Sequence, residues 1–303
     1  MSKATAWISS FRLRTLPLAL SSIGMGSFLA LQYRLFQWDI FILNALTAIL
    51  LQILSNLAND YGDSIHGGDN EDRVGPKRGL QNGEISLPQM KIAIAISAML
   101  ALISGCWLLH IATKGLNISI FLTFLIIGLL CIAAAIKYTA GKNPYGYVGL
   151  GDISVFLFFG IVGVACTFFL YTHAFRLDIL LPAITLGLLS TGVLNINNMR
   201  DINSDTAAGK RTMVVRMGLA SAKTYHTLII LLAIASMCLY TSFHYVSICQ
   251  WLFLISAPLL LMQVMGIRKD QPEQMDKYLK QLSLTTLLLV VSFGIGIILQ
   301  NYV

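Results

Sequence analysis

This sequence predicts an all-α membrane protein, a bundle of about nine transmembrane helices, and three observations carry that prediction. Apolar residues make up 56% of the 303 positions and charged residues only 12%, with a mean hydropathy of +0.73, far from an average soluble domain. Runs of roughly 18 or more apolar residues, the length a helix needs to cross hydrocarbon, recur nine times. The basic residues then fall on alternate sides of those runs, as retention of Lys and Arg on the cytoplasmic side requires.

In chain order the runs are about 16–33, 38–60, 90–112, 117–136, 150–171, 178–198, 225–242, 247–266 and 281–300. The first does not read as a cleaved signal, because it has no small-residue cleavage site and a polytopic array follows it. The second ends in "NLANDYGDSIHGGD", where apolar sequence gives way abruptly to carboxylates. The polar stretch beyond it, about 61–89, holds too few apolar residues for a core of its own, so 1–303 is expected to form a single polytopic domain. Span four ends at Tyr138, and span six runs into "GVLNINNMRDINSDTAAGKRT". With the N-terminus cytoplasmic, all of the 21 Lys and Arg except Arg34, Lys114 and Arg176 lie inside, and all of the 14 acids except Asp39 and Asp178 lie inside or at that boundary. The net charge of +7 therefore reports topology, and no nucleic-acid partner is read from it. The five cysteines sit singly in or near apolar spans without a C-x-x-C, and are read as packing residues.

The chemistry lies in two acidic clusters. Asn59, Asp60 and Asp63 project from the end of span two at spacings of three and four, which a helix brings together; Asn56 and Asp60 repeat the relation one turn deeper. At the end of span six Asn197, Asp201 and Asp205 run i, i+4, i+8, with Asn198 three residues before Asp201. An Asn-x-x-x-Asp element thus closes an inward-running span twice, four spans apart, which predicts two four-helix halves plus a ninth helix. Solvated loop acids would explain one such cluster; a pair, at bilayer-embedded helix ends where charge is costly, points to function. Carboxylate and amide oxygens are hard ligands that suit Mg2+, which takes one or two carboxylates and completes its shell with water and substrate phosphate. Two clusters facing one cavity would hold two Mg2+ ions around a diphosphate. Arg73, Lys77 and Arg78 follow the first cluster, Lys210 and Arg211 the second, and Lys137 and Lys142 lie in the loop between. The positive-inside signal accounts for most of them, but a departing diphosphate also needs cationic donors.

These motifs resemble the UbiA superfamily of intramembrane prenyltransferases, with N-D-x-x-D-x-x-x-D first and D-x-x-x-D second. Asn59, Asp60 and Asp63 match the former and Asp201 and Asp205 the latter; where the last acid of the first motif is expected stands Gly67, with Asp69 two residues on. That variant, N-D-Y-x-D-x-x-x-G-x-D, resembles the 1,4-dihydroxy-2-naphthoate polyprenyltransferase branch, as do "FRLRTLP" (11–17, containing Arg12), "DRVGPKRGLQNGEIS" (72–86) and "YTAGKNPYGYVGLGDISVFLFFG" (138–160). The resemblance covers most of the chain in order. It implies a nine-helix bundle in the cytoplasmic (inner) membrane with its active site facing the cytoplasm, a Mg2+ requirement, a polyprenyl diphosphate donor, and 1,4-dihydroxy-2-naphthoate as acceptor, alkylated with loss of carbon dioxide. Under it, Asp60, Asp63, Asp69, Asp201 and Asp205 are expected at the metal, Arg12, Asn59, Arg78, Asn197 and Asn198 at the substrates, and Arg73, Tyr138, Lys142, Lys210 and Arg211 at the reacting groups. Tyr138 would face the carbocation with its ring, although an interfacial Tyr belongs equally to the aromatic belt. The helix carrying the first cluster is expected to stop near His66, with Gly67 at positive φ folding Asp69 back. Other acceptors on the same scaffold, 4-hydroxybenzoate, homogentisate or a haem precursor, are the nearest alternative. A cation-coupled transporter is a second, disfavoured because the acids gather at one face and not at the midplane; a phosphatidyl transferase is disfavoured by the absence of D-G-x-x-A-R.

Overall fold

The computed structural model describes residues 2–67 and 79–300. Among them are nine helices long and apolar enough to cross a membrane: α1 (Lys3–Gln32), α2 (Trp38–Ile65), α3 (Leu87–Ala112), α4 (Ile118–Lys137), α5 (Gly151–Thr172), α6 (Leu177–Arg200), α7 (Met213–Phe243), α8 (Ile248–Lys269) and α9 (Asp276–Leu299). The nine expected spans are all present, and the helices outrun the apolar windows mostly at the end that carries the acids.

The largest extension is at α1. Its first section, Lys3–Phe11, is capped by the Ser2 hydroxyl, which accepts from the Thr5 amide at 3.3 Å. Ala6 joins Leu57, Ile85 and Met90 in a small core against which Trp7 and Phe11 pack, so an amphipathic segment that hydropathy alone misses is helical because α2 and α3 cover one side of it. Arg12 then adopts the left-handed conformation (φ 48°), the chain turns through a 3-10 element, Leu13–Thr15, and α1 resumes with Pro17 in its first turn. Asn56 of α2 fixes this bend by donating to the Phe11 carbonyl at 2.9 Å and the Thr15 hydroxyl at 3.0 Å. Likewise α7 begins at Met213 and not near 225, although its backbone breaks at Gly218 (φ 78°): Thr212 caps its start, Arg216 before the break bonds the Val148 carbonyl, and Lys223 after it bonds that of Asp270.

Packing follows the expected halves. In the first, α2 packs on α3 and α4; in the second, α6 packs on α5 and α7; α1 contacts α2, α5 and α6, and α9 closes the assembly against α1, α6 and α8. The shared core includes Met25, Leu29, Phe168, Leu186, Leu189, Tyr240, Phe253 and Phe293. The outer faces stay apolar, with Ile92, Ile96, Met99 and Ile103 of α3 and Leu122, Ile126, Leu129 and Leu130 of α4 exposed. Such a belt is stable only against lipid, and the chain is a multi-pass membrane protein.

α2 ends at Ile65, with His66 as its cap residue and Gly67 at φ +75°, as the sequence implied. Asp69, Arg73 and Arg78 lie outside the described residues.

Candidate active site

A cavity of about 420 Å3 runs between the halves. One stripe of α2 lines it from Asn44 through Thr47, Leu51, Ser55 and Asn59 to Asp63, and at 1.5 Å per residue those nineteen steps cover about 28 Å, nearly the thickness of the hydrocarbon layer. Its deep end is walled by Leu109, Phe124 and Leu170, its head by Asp63, Asp201, Asp205 and Lys210. An apolar shaft therefore leads to an ionic head at the ends of α2 and α6.

The head joins both acidic clusters. Lys210 follows the short helix Ile202–Ala207 and lies 2.8 Å from an Asp63 oxygen and 3.2 Å from one of Asp205. Its ammonium also sits over the Tyr147 ring, 4.7 Å from the centroid, and the Tyr147 hydroxyl donates to Asp63 at 2.7 Å. Burial works against the charge on Lys210, but the Asp63 and Asp205 carboxylates outweigh it and raise its pKa above the ordinary lysine value. Burial pushes the Asp205 carboxyl up to about 6 despite Lys210, with Asp201 and Asp63 adding to the rise. Further positive charge at this point would ionise Asp205 fully.

Asp201 is held by its neighbour. Arg200, only 1% exposed, grips it through Nε at 2.8 Å and Nη2 at 2.6 Å, a two-point fork that fixes the carboxylate plane. Arg200 also donates to the Asn197 side-chain oxygen at 3.0 Å. The corresponding oxygen of Asn59 accepts from the Thr139 hydroxyl at 3.0 Å. The sequence suggested an amide oxygen beside each acidic pair as a metal ligand; in the structure each of these oxygens accepts a hydrogen bond, and the NH2 groups are what the two residues would offer an anion. The Thr139 contact needs Gly62, because a Cβ there would run into the Thr139 carbonyl oxygen.

The expected residues divide clearly. Arg12, Asn59, Asp63, Tyr138, Asn197, Asn198, Asp201, Asp205 and Lys210 all line the cavity. Asp60, 1% exposed, stands behind that wall with the Arg12 guanidinium at 2.5 Å. Tyr138 packs edge-on against Tyr145, centroids 5.4 Å apart. Lys142 is exposed and off the cavity wall, and Arg211 is exposed with its amide bonded to the Tyr147 carbonyl at 2.8 Å; the structure does not bring either to the head. Arg14, Tyr147 and Arg200 were not anticipated. Only Arg200 had a local signal, its place directly before Asp201.

No three acidic, Cys or His side chains among the described residues converge to enclose a metal by themselves. The cavity carboxylates, all hard donors, sit instead on two sides of the head, Asp63 near the end of α2 and Asp201 and Asp205 just beyond the end of α6. That fits Mg2+, which needs one or two carboxylates when phosphate oxygens and water complete the octahedron.

The sequence model of the UbiA prenyltransferase family matches residues 19–287. The chain belongs to this family. It is similar to the 1,4-dihydroxy-2-naphthoate octaprenyltransferase of Escherichia coli (strain K12), 44% identical over 303 residues that cover 100% of this chain and 98% of that relative. The UbiA fold is shared with a UbiA homolog from Aeropyrum pernix K1 in its apo form, TM-score 0.66 at 18% identity over 95% of this chain and 98% of that one. A UbiA homolog from Archaeoglobus fulgidus bound to DMAPP and Mg2+ aligns with a TM-score of 0.59 at 14% identity, over 94% of this chain and 98% of that one.

Proposed function

We propose that this protein transfers a polyprenyl group from polyprenyl diphosphate to 1,4-dihydroxy-2-naphthoate, with release of diphosphate and carbon dioxide, giving demethylmenaquinol, the hydroquinone of demethylmenaquinone. The observation that carries the reading is the union of both acidic clusters at the head of one long apolar cavity, in a chain 44% identical to a relative named for that activity. The donor's tail lies in the apolar shaft and its diphosphate at the head.

Asp63, Asp201 and Asp205 would hold Mg2+, which when bound neutralises the diphosphate and makes it a better leaving group. Arg12, Lys210 and the NH2 groups of Asn59 and Asn197 donate to diphosphate oxygens, where negative charge grows as the allylic C–O bond breaks and its electron pair leaves with oxygen. Asn198 lines the same wall and is placed to contact substrate. The Tyr138 ring is a face for the allylic cation. The electron-rich acceptor ring forms the new C–C bond, and loss of the carboxyl as carbon dioxide restores aromaticity. Water is kept out by the shaft's apolar walls, which protects the cation from hydrolysis. Asp60 acts by holding Arg12. Asp69, Arg73 and Arg78 follow the first cluster in sequence and are assigned to the metal and diphosphate on their resemblance to the family motif.

The acidic head lies on the side that carries most of the Lys and Arg, so it faces the cytoplasm, with the N-terminus on the same side and the bundle in the inner membrane. Purified protein is to be incubated with Mg2+, a polyprenyl diphosphate and 1,4-dihydroxy-2-naphthoate, and the product identified by mass. Demethylmenaquinol, or the quinone that air oxidation makes from it, supports the reading. Prenylation of 4-hydroxybenzoate or homogentisate in preference would move the protein to another acceptor.

A further inference from the structure

A line of charged side chains reaches the site from α9, a helix that contributes no acid to the two motifs. Asp276, the first residue of α9, accepts from Arg200 Nη1 at 2.5 Å and from Arg14 Nη1 at 3.2 and 3.3 Å. Arg200 commits its other donors to Asp201 and Asn197. Arg14 sits in the 3-10 turn Leu13–Thr15, directly after Arg12, whose guanidinium holds Asp60. Asp60, the bend in α1, Asp276, Arg200 and Asp201 therefore form one continuous line that joins the two acidic clusters through α1 and α9.

The charge balance along it is informative. The Arg200 side chain is 1% exposed and Asp201 is 9% exposed, whereas Asp276 is 44% exposed. Were Asp201 its sole anionic partner, a buried guanidinium would neutralise that carboxylate one to one, leaving it a poor ligand for any other cation. With Asp276 on the third guanidinium nitrogen the positive charge is divided between two carboxylates. Asp201 is then fixed in plane by the fork and keeps negative charge for the cavity it lines.

We propose that Asp276 is a positioning residue that, through Arg200, holds Asp201 in a cation-binding state and, through Arg14, couples it to the bend carrying Arg12 and Asp60. This rests on the reading of the head as a divalent-cation and diphosphate site. The test uses the full chain in nanodiscs and reads Mn2+ binding by electron paramagnetic resonance, without donor or acceptor, beside the Mg2+ dependence of turnover. Asp276→Asn is expected to weaken Mn2+ binding about tenfold, the size of losing one hydrogen bond to a charged group. The Mg2+ concentration for half-maximal rate should rise in step, while kcat at saturating Mg2+ changes little. Asp276→Glu, which keeps the carboxylate, should restore most of the affinity, and Arg14→Gln combined with Asp276→Asn should be no worse than Asp276→Asn alone, since both cut the same line.

A merely structural aspartate would lower thermal stability without separating the Mg2+ requirement from kcat. Unchanged Mn2+ affinity in folded Asp276→Asn, or a loss of kcat at an unchanged Mg2+ requirement, overturns the proposal. Should Asp276→Asn fail to fold, Asp276→Ser makes the same comparison, with a weakening of the same size expected and no shift contradicting it. A wild-type protein that binds Mn2+ but transfers no prenyl group would end the functional reading, and the Mn2+ comparison would still decide the role of Asp276.

Discussion

Replacing Lys210 by Met removes an ammonium that bonds both Asp63 and Asp205 across the head, at 2.8 and 3.2 Å. The side chain is only 10% exposed, so water does not take over its role. Breaking a buried ion pair by deleting one partner costs about 3–5 kcal/mol, and two charged hydrogen bonds at about 1.5–3 kcal/mol each give a similar figure. For a chain this long about 2 °C accompanies each kcal/mol, so unfolding in detergent without divalent cation should fall by about 6–10 °C. Mg2+ should recover a larger part of that loss in Lys210→Met than it adds to the wild type, because the carboxylates that lose Lys210 are the cation's own ligands. Asp63→Asn introduced into Lys210→Met should cost less than it does alone, as residues of one network couple. A melting temperature within about 2 °C of wild type in metal-free buffer would refute the reasoning, since it would place less than about 1 kcal/mol in these contacts.

Asp63→Ala and Asp201→Ala are each expected to abolish turnover in protein that still purifies folded, and near-wild-type rates in either would remove that residue from the metal site. EDTA should stop the reaction, with Mg2+ restoring it and Ca2+ restoring it poorly because of its larger, looser coordination; equal rescue by Ca2+ would argue against a compact Mg2+ site. Gly62→Ala should impair activity beyond its overpacking cost of about 1–3 kcal/mol, since the Cβ displaces the Thr139 carbonyl and with it the partner of Asn59; unchanged kcat/KM would separate Asn59 from the reaction. A reporter inserted in the loop between α2 and α3 should read as cytoplasmic and one after the last helix as external, and the reverse at either place would mean the span count is off by an odd number.

The bundle was legible because lipid demands long apolar helices, which leave a signal in hydropathy that no tertiary context erases. Helix ends were not. Lys3–Phe11 looks polar by window average and is helical because Trp7 and Phe11 find cover beside Leu57 and Met90. The start of α7 was hidden by Arg216 and Lys223, whose long side chains bond to distant carbonyls. At the site, i, i+3 and i, i+4 spacing revealed the acids but not what neutralises them. Lys210 bonds Asp63 from 147 positions away and Asp276 meets Arg200 from 76, and no local pattern encodes such pairs. Lys142 and Arg211 entered the sequence reading for a related reason. Loop cations that set topology and cations that grip a phosphate are the same residue types, and only position relative to the cavity separates them.

The central claim is transfer with decarboxylation at a Mg2+-dependent site, and carbon balance tests it most directly. Purified protein given Mg2+, a polyprenyl diphosphate and 1,4-dihydroxy-2-naphthoate labelled with 13C in its carboxyl group should release labelled carbon dioxide, diphosphate and demethylmenaquinol in equal amounts, and none of the three without Mg2+. A prenylated product that keeps the label, or release of diphosphate without a prenylated naphthalene ring, would contradict the account.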